Sequence, residues 1–250
     1  MSMSKNNQAG CVLPEGLRRY YLDAMDIQVW QDLNAAQQVL QQEAPVVQAA
    51  TPTNPQVAYQ PPADIETPGD RATWAELERA VAECTKCELH ESRTQAVFGV
   101  GNHNADLLII GEAPGRDEDL QGEPFVGRAG QLLNAMLAAI GFQREQVYIA
   151  NILKCRPPNN RDPSPEEAAC CHPWLQQQID LVNPKVILAI GRIAAHNLLN
   201  TDASVGSMRS RQHSYNGIPL IVSYHPAYLL RKPVEKRKSW QDLKLVRSLL

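Results

Sequence analysis

Residues 106–115, DLLIIGEAPG, decide the fold, because four consecutive apolar side chains run directly into a turn containing Gly and Pro. A short apolar run that ends in such a turn is typical of a strand buried on both faces. Three further segments repeat this pattern, at 147–155 (VYIANILKC), 185–191 (KVILAIG) and 218–226 (IPLIVSYHP).

Helical patterns separate these strands. Residues 127–142 (GRAGQLLNAMLAAIGF) and 192–199 (RIAAHNLL) have helical spacing, and Ser164 followed by Pro165 is a helix start signal. Strands that alternate with helices and read as continuous apolar runs indicate a parallel sheet covered on both faces. We therefore predict an α/β fold: a three-layer αβα arrangement with a central, mostly parallel four-stranded sheet and a helical or disordered N-terminal extension.

The composition divides the chain into three parts. We predict an N-terminal helical extension at 1–43, a flexible linker rich in Pro and Gln at 44–70, and the main domain at 71–250. The sequence has no apolar run of the ~18 residues that a membrane helix needs, and it begins without a secretory signal pattern. We expect a cytoplasmic protein without a membrane partner. Segment 17–34 is a weak candidate for docking a repair or replication protein, and a monomer is the default.

The charge is unevenly distributed although the formal net charge is only −3. From Val205 to Leu250 there are nine Lys and Arg side chains against two acidic ones. Such a stretch can approach a phosphate backbone, and it can equally be a solvated helical face.

Five cysteines of the main domain flank the predicted sheet. Cys84 and Cys87 form a C-x-x-C pair, Cys155 follows the second predicted strand, and Cys170 and Cys171 are adjacent in the next helix. Cysteines of a reducing compartment are more often metal ligands or free thiols than disulfides. Four of them can hold zinc or a [4Fe–4S] cluster, and spacing alone does not choose between the two.

Polar motifs follow three of the predicted strands: GEAPGRDED at 111–119, Asn151, and His225 with Pro226. Because the carboxyl ends of parallel strands share one edge of the sheet, these motifs should form one site.

At this point the motifs identify a resemblance. GEAPGRDED, GEPFVGRAGQLLNAML, NILKCRPPNNRDPSPEEAACC and HPAYLLR occur in the order found in the family 4 uracil-DNA glycosylases, over Trp74 to Leu250. The resemblance implies an enzyme that hydrolyses the N-glycosidic bond of deoxyuridine in DNA and starts base excision repair. It also implies a [4Fe–4S] cluster held by Cys84, Cys87, Cys155 and Cys171, with Cys170 as the alternative fourth ligand.

The resemblance also implies roles for single residues. Phe125 matches the aromatic residue that stacks on the flipped uracil, Asn151 the residue that reads the uracil edge, and Ala113 lies where the backbone lines the pocket. An amide can donate to O4 and accept from N3–H of uracil. Arg128, before a helix, and Arg231, after HPAYLL, are candidates for contact with the DNA backbone.

The catalytic candidates are one histidine and three carboxylates. His225 matches the histidine near uracil O2, where a donor stabilises the departing anion. Glu112, Glu118 and Asp119 are candidates for positioning water or stabilising the cationic sugar. We rank Glu112 first, because Glu118 and Asp119 can also be ordinary acids at a helix N-terminus.

Three alternatives remain at this stage. One is a non-catalytic iron–sulfur protein that binds DNA. Another is a variant glycosylase that crosslinks to uracil-DNA through a histidine, for which Arg211 and His213 in MRSRQHSYNG are a poor motif match. The third is a zinc hydrolase, which needs an open metal position beside the carboxylates.

Overall fold

The computed structural model of the protein describes residues 73–250 together with Gly16, Arg19 and Tyr20, which are helical. The rest of the predicted extension at 1–43 and the whole predicted linker at 44–70 lie outside the described residues.

The described chain forms one six-stranded sheet in the order β1-β3-β2-β4-β6-β5. Its strands are β1 Val100–Gly101, β2 Leu107–Gly111, β3 Tyr148–Asn151, β4 Val186–Ile190, β5 Gln212–Tyr215 and β6 Ile218–Ser223. The four central strands, β3, β2, β4 and β6, pair in parallel. These are the four strands expected from the apolar runs, so the predicted α/β fold with a mostly parallel sheet is confirmed.

Two short antiparallel strands at the edges extend the sheet from the expected four strands to six. Strand β1 has only two residues, too few for a periodic signal. Strand β5 is polar, and it joins β6 through Asn216 and Gly217, whose φ angles are 49° and 84°. Two consecutive positive φ angles define the tight hairpin turn that Asn-Gly favours.

Helices precede the first strand, connect several of the strands and follow the last one. In chain order they are α1 Trp74–Ala82, α2 Leu89–Ser92, α3 Arg116–Gln121, α4 Arg128–Ala139, α5 Pro165–Val182, α6 Arg192–Leu199, α7 Val205–Met208, α8 Pro226–Arg231 and α9 Lys236–Leu249. The predicted start of α5 is confirmed, since the Ser164 hydroxyl accepts from the Glu167 backbone N–H and the Glu167 side chain accepts from Ser164 N–H.

Two hydrophobic clusters cover the two faces of the sheet, which makes three layers. Alternate residues of β2 point in opposite directions, Leu108 and Ile110 into one cluster and Leu107 and Ile109 into the other. Helices α5 and α6 pack on the first face, and α4 and α9 on the second. Burying each such side chain contributes about 1.5–3 kcal/mol, so these clusters fix where the strand ends lie.

Among the helices of the described residues, none combines the length and the apolar character that crossing a membrane requires.

Candidate active site

A cavity of about 480 Å³ opens at the carboxyl edge of the parallel strands. This is where a doubly wound sheet places its ligands. Seven of the residues expected at the site line it: Glu112, Ala113, Glu118, Phe125, Asn151, His225 and Arg231. The fold thus brings together side chains from β2, β3 and α8 that are distant in sequence.

Asn151 ends β3 with its side chain turned into the sheet edge. It is 2% exposed, and its Oδ1 has no hydrogen-bond partner within the described residues. A buried acceptor without a donor costs about 1–3 kcal/mol. Since Asn151 lines the cavity, this oxygen is placed to accept from a bound ligand.

Phe125 adopts an unusual backbone conformation beside Asn151. Its φ is 55°, in the left-handed region that is uncommon for a bulky residue. Arg144 holds this backbone from outside, since Nη2 donates to Pro124 O at 2.5 Å and Nη1 to Phe125 O at 3.4 Å. Gly130 is required on the other side, because a Cβ there would lie 1.7 Å from Phe125 O.

Glu118 binds two backbone segments, the Phe125 loop through Oε1 and the N-cap of its own helix α3 through Oε2. Oε1 accepts from the backbone N–H groups of Val126 at 3.0 Å and Gly127 at 3.3 Å, and Oε2 accepts from Gly115 N–H at 3.1 Å. The Glu118 carboxylate therefore lies at the cavity wall, but its two oxygens already accept hydrogen bonds from three backbone N–H groups.

His225 lines the cavity next to Phe125, with ring centroids 5.6 Å apart and planes tilted by 35°. Its Nδ1 accepts from Ala227 N–H at 3.1 Å, which caps α8. Burial, and to a smaller extent the charge of Arg231, lowers the pKa of His225 to about 4. The imidazole is therefore neutral at pH 7, with its proton on Nε2 as a free donor.

Glu112 follows β2 and is half-buried at the cavity. Burial raises the pKa of its carboxyl group, the nearby Asp162 raises it further, and Arg192 opposes the shift. Asp162 also lines the cavity and forms an ion pair of 2.5 Å with Arg192. The charges of Asp162 and Arg192 thus act on the pKa of the Glu112 carboxyl group in opposite directions.

Two predicted site residues lie outside the cavity. Asp119 does not join the other carboxylates, which corrects that expectation: it is 3% exposed and its Oδ1 accepts from Thr94 N–H at 2.9 Å. Consecutive residues of a helix point about 100° apart, and here Glu118 lines the cavity while Asp119 points to Thr94. Arg128 is exposed at the first turn of α4, and its contact with DNA stays a prediction.

The sequence predicts that the loop CRPPNNRDP at 155–163 contacts the DNA backbone, and that contact stays a prediction. Its Arg161 and Asp162 line the cavity, which the sequence did not indicate, and so does Tyr228 of α8. No sequence motif pointed to Arg144, because it lies in a separate 3-10 turn and bonds to main-chain oxygens of the Phe125 loop.

The cysteines form a second site, which brings together residues from both sides of Asn151 in sequence. Cys84, Cys87, Cys155, Cys170 and Cys171 are all free and line one small cavity. Burial raises the pKa of the Cys171 thiol to about 11, so a metal there would have to displace its proton.

Three N–H groups point at sulfur atoms of these cysteines. Trp174 Nε1 donates to Cys84 at 3.4 Å, Arg93 Nη1 to Cys155 at 3.0 Å and the Lys154 backbone to Cys171 at 3.3 Å. Such bonds are the means by which a protein tunes an iron–sulfur cluster. Within residues 73–250 no three His, Cys, Asp or Glu side chains meet closely enough to hold one metal ion. The fit to a cluster therefore rests on the donor set, in which each cysteine would bind a separate iron.

Comparison with known proteins shows the family of this chain. Residues 98–244 match the family model described as Uracil DNA glycosylase superfamily. The chain is 45% identical over 182 residues to the type-4 uracil-DNA glycosylase of Archaeoglobus fulgidus, which covers 70% of this chain and 92% of the relative. It is 46% identical over 153 residues to that of Thermotoga maritima, covering 60% and 80%.

A more distant relative is the type-5 uracil-DNA glycosylase of Pyrobaculum aerophilum, 29% identical over 146 residues, or 52% of this chain and 64% of the relative. The chain therefore belongs to the uracil-DNA glycosylase superfamily and, within it, to the type-4 uracil-DNA glycosylases. Members of this family are DNA glycosylases, hydrolases that act on N-glycosyl bonds.

Proposed function

We propose that this protein removes uracil from DNA by hydrolysing its N-glycosidic bond, and so starts base excision repair. The observation that carries the proposal is the buried Oδ1 of Asn151, an acceptor without a partner in a cavity that Phe125 also lines. The base must leave the helix to reach such a cavity, which is how enzymes that act on bases gain access.

The first step is recognition of the flipped base. Asn151 accepts from uracil N3–H through Oδ1 and donates to O4 through Nδ2. Phe125 stacks on the ring, an interaction that contributes about 1–3 kcal/mol. The backbone at Ala113 closes the pocket wall. Cytosine presents the opposite donor and acceptor pattern and is rejected.

The second step is cleavage of the bond between the sugar C1′ and the base N1. The neutral His225 donates from Nε2 to uracil O2 and stabilises the negative charge on the departing base. Glu112 positions a water on the sugar and stabilises its positive charge, so that the water oxygen bonds to C1′ as the bond to N1 breaks. The Glu112 carboxylate accepts the water proton, and the departing uracil anion takes up a proton from solvent, which balances the hydrolysis. Glu118 holds the Phe125 loop, since its oxygens are already engaged by backbone amides.

Positive side chains bind the DNA backbone around this cavity. Arg231 lines the cavity and is exposed, and Arg128 begins α4 nearby in sequence to Phe125. Neutralising phosphates releases counterions, so affinity falls as salt increases.

A [4Fe–4S] cluster fits the cysteine site, with Cys84, Cys87, Cys155 and Cys171 as ligands and Cys170 as the alternative to Cys171. When bound, it supplies a structural link between α1, the end of β3 and α5, because glycosidic hydrolysis moves no electrons. The three N–H groups that point at these sulfurs support this assignment.

The test is product analysis on an oligonucleotide with one uracil. The proposal predicts free uracil and an alkali-sensitive abasic site, with the DNA released from the protein in denaturing gels. A stable protein–DNA adduct would instead favour the crosslinking variant, although His213 lies in β5 with Nε2 2.7 Å from Met208 O. Binding of DNA without release of uracil would contradict the proposal and favour the non-catalytic alternative.

Three expectations stay predictions: the cytoplasmic location, the monomeric state, and a repair or replication partner for segment 17–34.

A further inference from the structure

Lys154 is a buried lysine that the proposed reaction does not use. It is 1% exposed, among the largest fully buried side chains of the described residues, and it does not line the cavity at the strand ends. Lysine is almost never fully buried unless it is paired, because its ammonium group loses its hydration. An apolar side chain would fill the same space at lower cost, so the retained polar group needs an explanation.

The Lys154 side chain bonds to the end of β3. Its Nζ donates to the main-chain oxygen of Asn151 at 2.9 Å and to Gln178 Oε1 at 2.6 Å. Gln178 is itself fully buried, and its Nε2 donates to Phe98 O at 2.9 Å and Tyr148 Oη at 3.2 Å. Each of these side chains has at least one hydrogen-bond partner, and bonds of this kind in a buried network restrain the groups that they join.

The Lys154 main chain is fixed as well. Its N–H donates to Cys171 Sγ at 3.3 Å, and its carbonyl accepts from Val97 N–H at 2.7 Å. Lys154 therefore links the cysteine site, through Cys171, to Asn151, whose Oδ1 has no hydrogen-bond partner among the described residues. Since Asn151 is bound through its carbonyl, a shift of Lys154 would move the main chain that carries the reading side chain.

We propose that Lys154 is a positioning residue, which holds the main chain of Asn151 so that the side-chain amide meets the uracil edge. This inference rests on the proposed role of Asn151. A misplacement of about 1 Å at a reacting group can lower a rate about 100-fold. Loss of the single bond from Lys154 Nζ to Asn151 O is therefore sufficient to lower the rate of uracil excision.

The test compares Lys154→Met with Lys185→Met in the full chain. Methionine has a similar length and no donor, and Lys185 is an exposed lysine paired with Asp106 at 3.0 Å. The measurements are the single-turnover rate on DNA with one uracil, affinity for the same DNA with thymine, iron per chain and Tm. We expect Lys154→Met to lower the rate about 10- to 100-fold, with unchanged iron and unchanged affinity for thymine DNA, and Lys185→Met to match wild type.

The variant Gln178→Leu separates positioning from stability. It removes the partner of Lys154 Nζ at Oε1 and the two Nε2 bonds to Phe98 and Tyr148, so Tm should fall, whereas the rate should stay near wild type because Lys154 Nζ still donates to Asn151 O. It also gives the rate at reduced stability, which is the comparison needed if Lys154→Met folds poorly. A wild-type rate in Lys154→Met, or a rate in Gln178→Leu as low as that of Lys154→Met, overturns the inference. Inactive wild type would instead overturn the proposed function.

Discussion

Gly111 and Asn151 approach so closely that a side chain at position 111 has no space. A Cβ on Gly111 would lie 2.4 Å from Asn151 Oδ1 and 2.6 Å from the Phe125 ring. The glycine therefore allows the Asn151 amide and the Phe125 ring, to which we assign base reading and stacking, to meet above the end of β2. We predict that Gly111→Ala lowers uracil excision at least about 10-fold, because either group must move. The measurement is the single-turnover rate on uracil DNA.

Gly206→Ala is the control for this substitution. Its Cβ would meet nothing nearer than Tyr224 Oη at 3.6 Å, an ordinary contact. It should keep the wild-type rate. Equal activity of Gly111→Ala and wild type would show that the two groups need not meet in this geometry.

Glu112 and Glu118 should respond in opposite directions to replacement by glutamine. Burial raises the pKa of the Glu112 carboxyl group in the folded protein. Above this raised pKa the ionised carboxylate lowers the free energy of unfolding. The loss becomes smaller as pH falls through the raised pKa, because the carboxyl group is then protonated in the folded state. Glu112→Gln should therefore raise Tm by about 1–3 °C at pH 8, with the gain vanishing in acid, while excision falls. Calorimetry at several pH values and the rate at pH 8 measure both effects.

Glu118→Gln should lower both Tm and the rate. The carboxylate accepts from three backbone N–H groups, and bonds to a charged group are each worth about 1.5–3 kcal/mol. The test is the contrast in Tm between the two glutamine variants, since both are expected to lower the excision rate. If Glu118→Gln left Tm unchanged and abolished excision, Glu118 would act in the chemistry and our interpretation of it as a brace would be wrong.

His225 should act as a neutral donor. Replacement by alanine removes the Nε2 proton, and losing one donor to a developing anion costs about 10²–10³ in rate. Glutamine keeps an N–H near that position and should retain more activity. Because the pKa of His225 is about 4, the ratio of wild-type to His225→Gln rates should stay constant from about pH 8 to 5. A change in that ratio near the ordinary histidine pKa of about 6.5 would mean that the charged form takes part.

The adjacent cysteines should differ in their contribution to the proposed cluster. Cys171 is buried and accepts from Lys154 N–H, whereas Cys170 is half-buried. We predict that Cys171→Ser loses iron, visible absorbance and thermal stability, while Cys170→Ser keeps all three. Iron analysis and absorbance spectra of protein purified without oxygen provide the readout. The reverse order would assign the fourth ligand to Cys170.

The sequence was sufficient for the central strands and for most of the cavity. The four apolar runs predict β2, β3, β4 and β6, and their ends predict that Glu112, Asn151 and His225 converge. It was insufficient for the two edge strands, which bury little apolar surface and leave no periodic pattern. It also placed Asp119 in the site, because adjacency in sequence does not reveal which of two consecutive helical residues faces the cavity.

Residues that act through others gave the weakest signal. Arg144 braces Phe125 through main-chain oxygens, and Lys154 binds the main chain of Asn151. A main-chain oxygen is present at every residue, so a side chain that bonds to one leaves no recognisable pair in the sequence. Such residues are identified only from the three-dimensional structure.

The central claim is that Asn151 reads uracil in DNA. The most direct measurement is the single-turnover rate of base release from matched oligonucleotides with one uracil or one thymine, for wild type, Asn151→Ala and the control Asn197→Ala, whose side chain donates to Ile193 O within α6. The account predicts release of uracil and not thymine by wild type and Asn197→Ala, and a rate about 10²–10³ lower for Asn151→Ala. Uracil release by Asn151→Ala at the wild-type rate would contradict it.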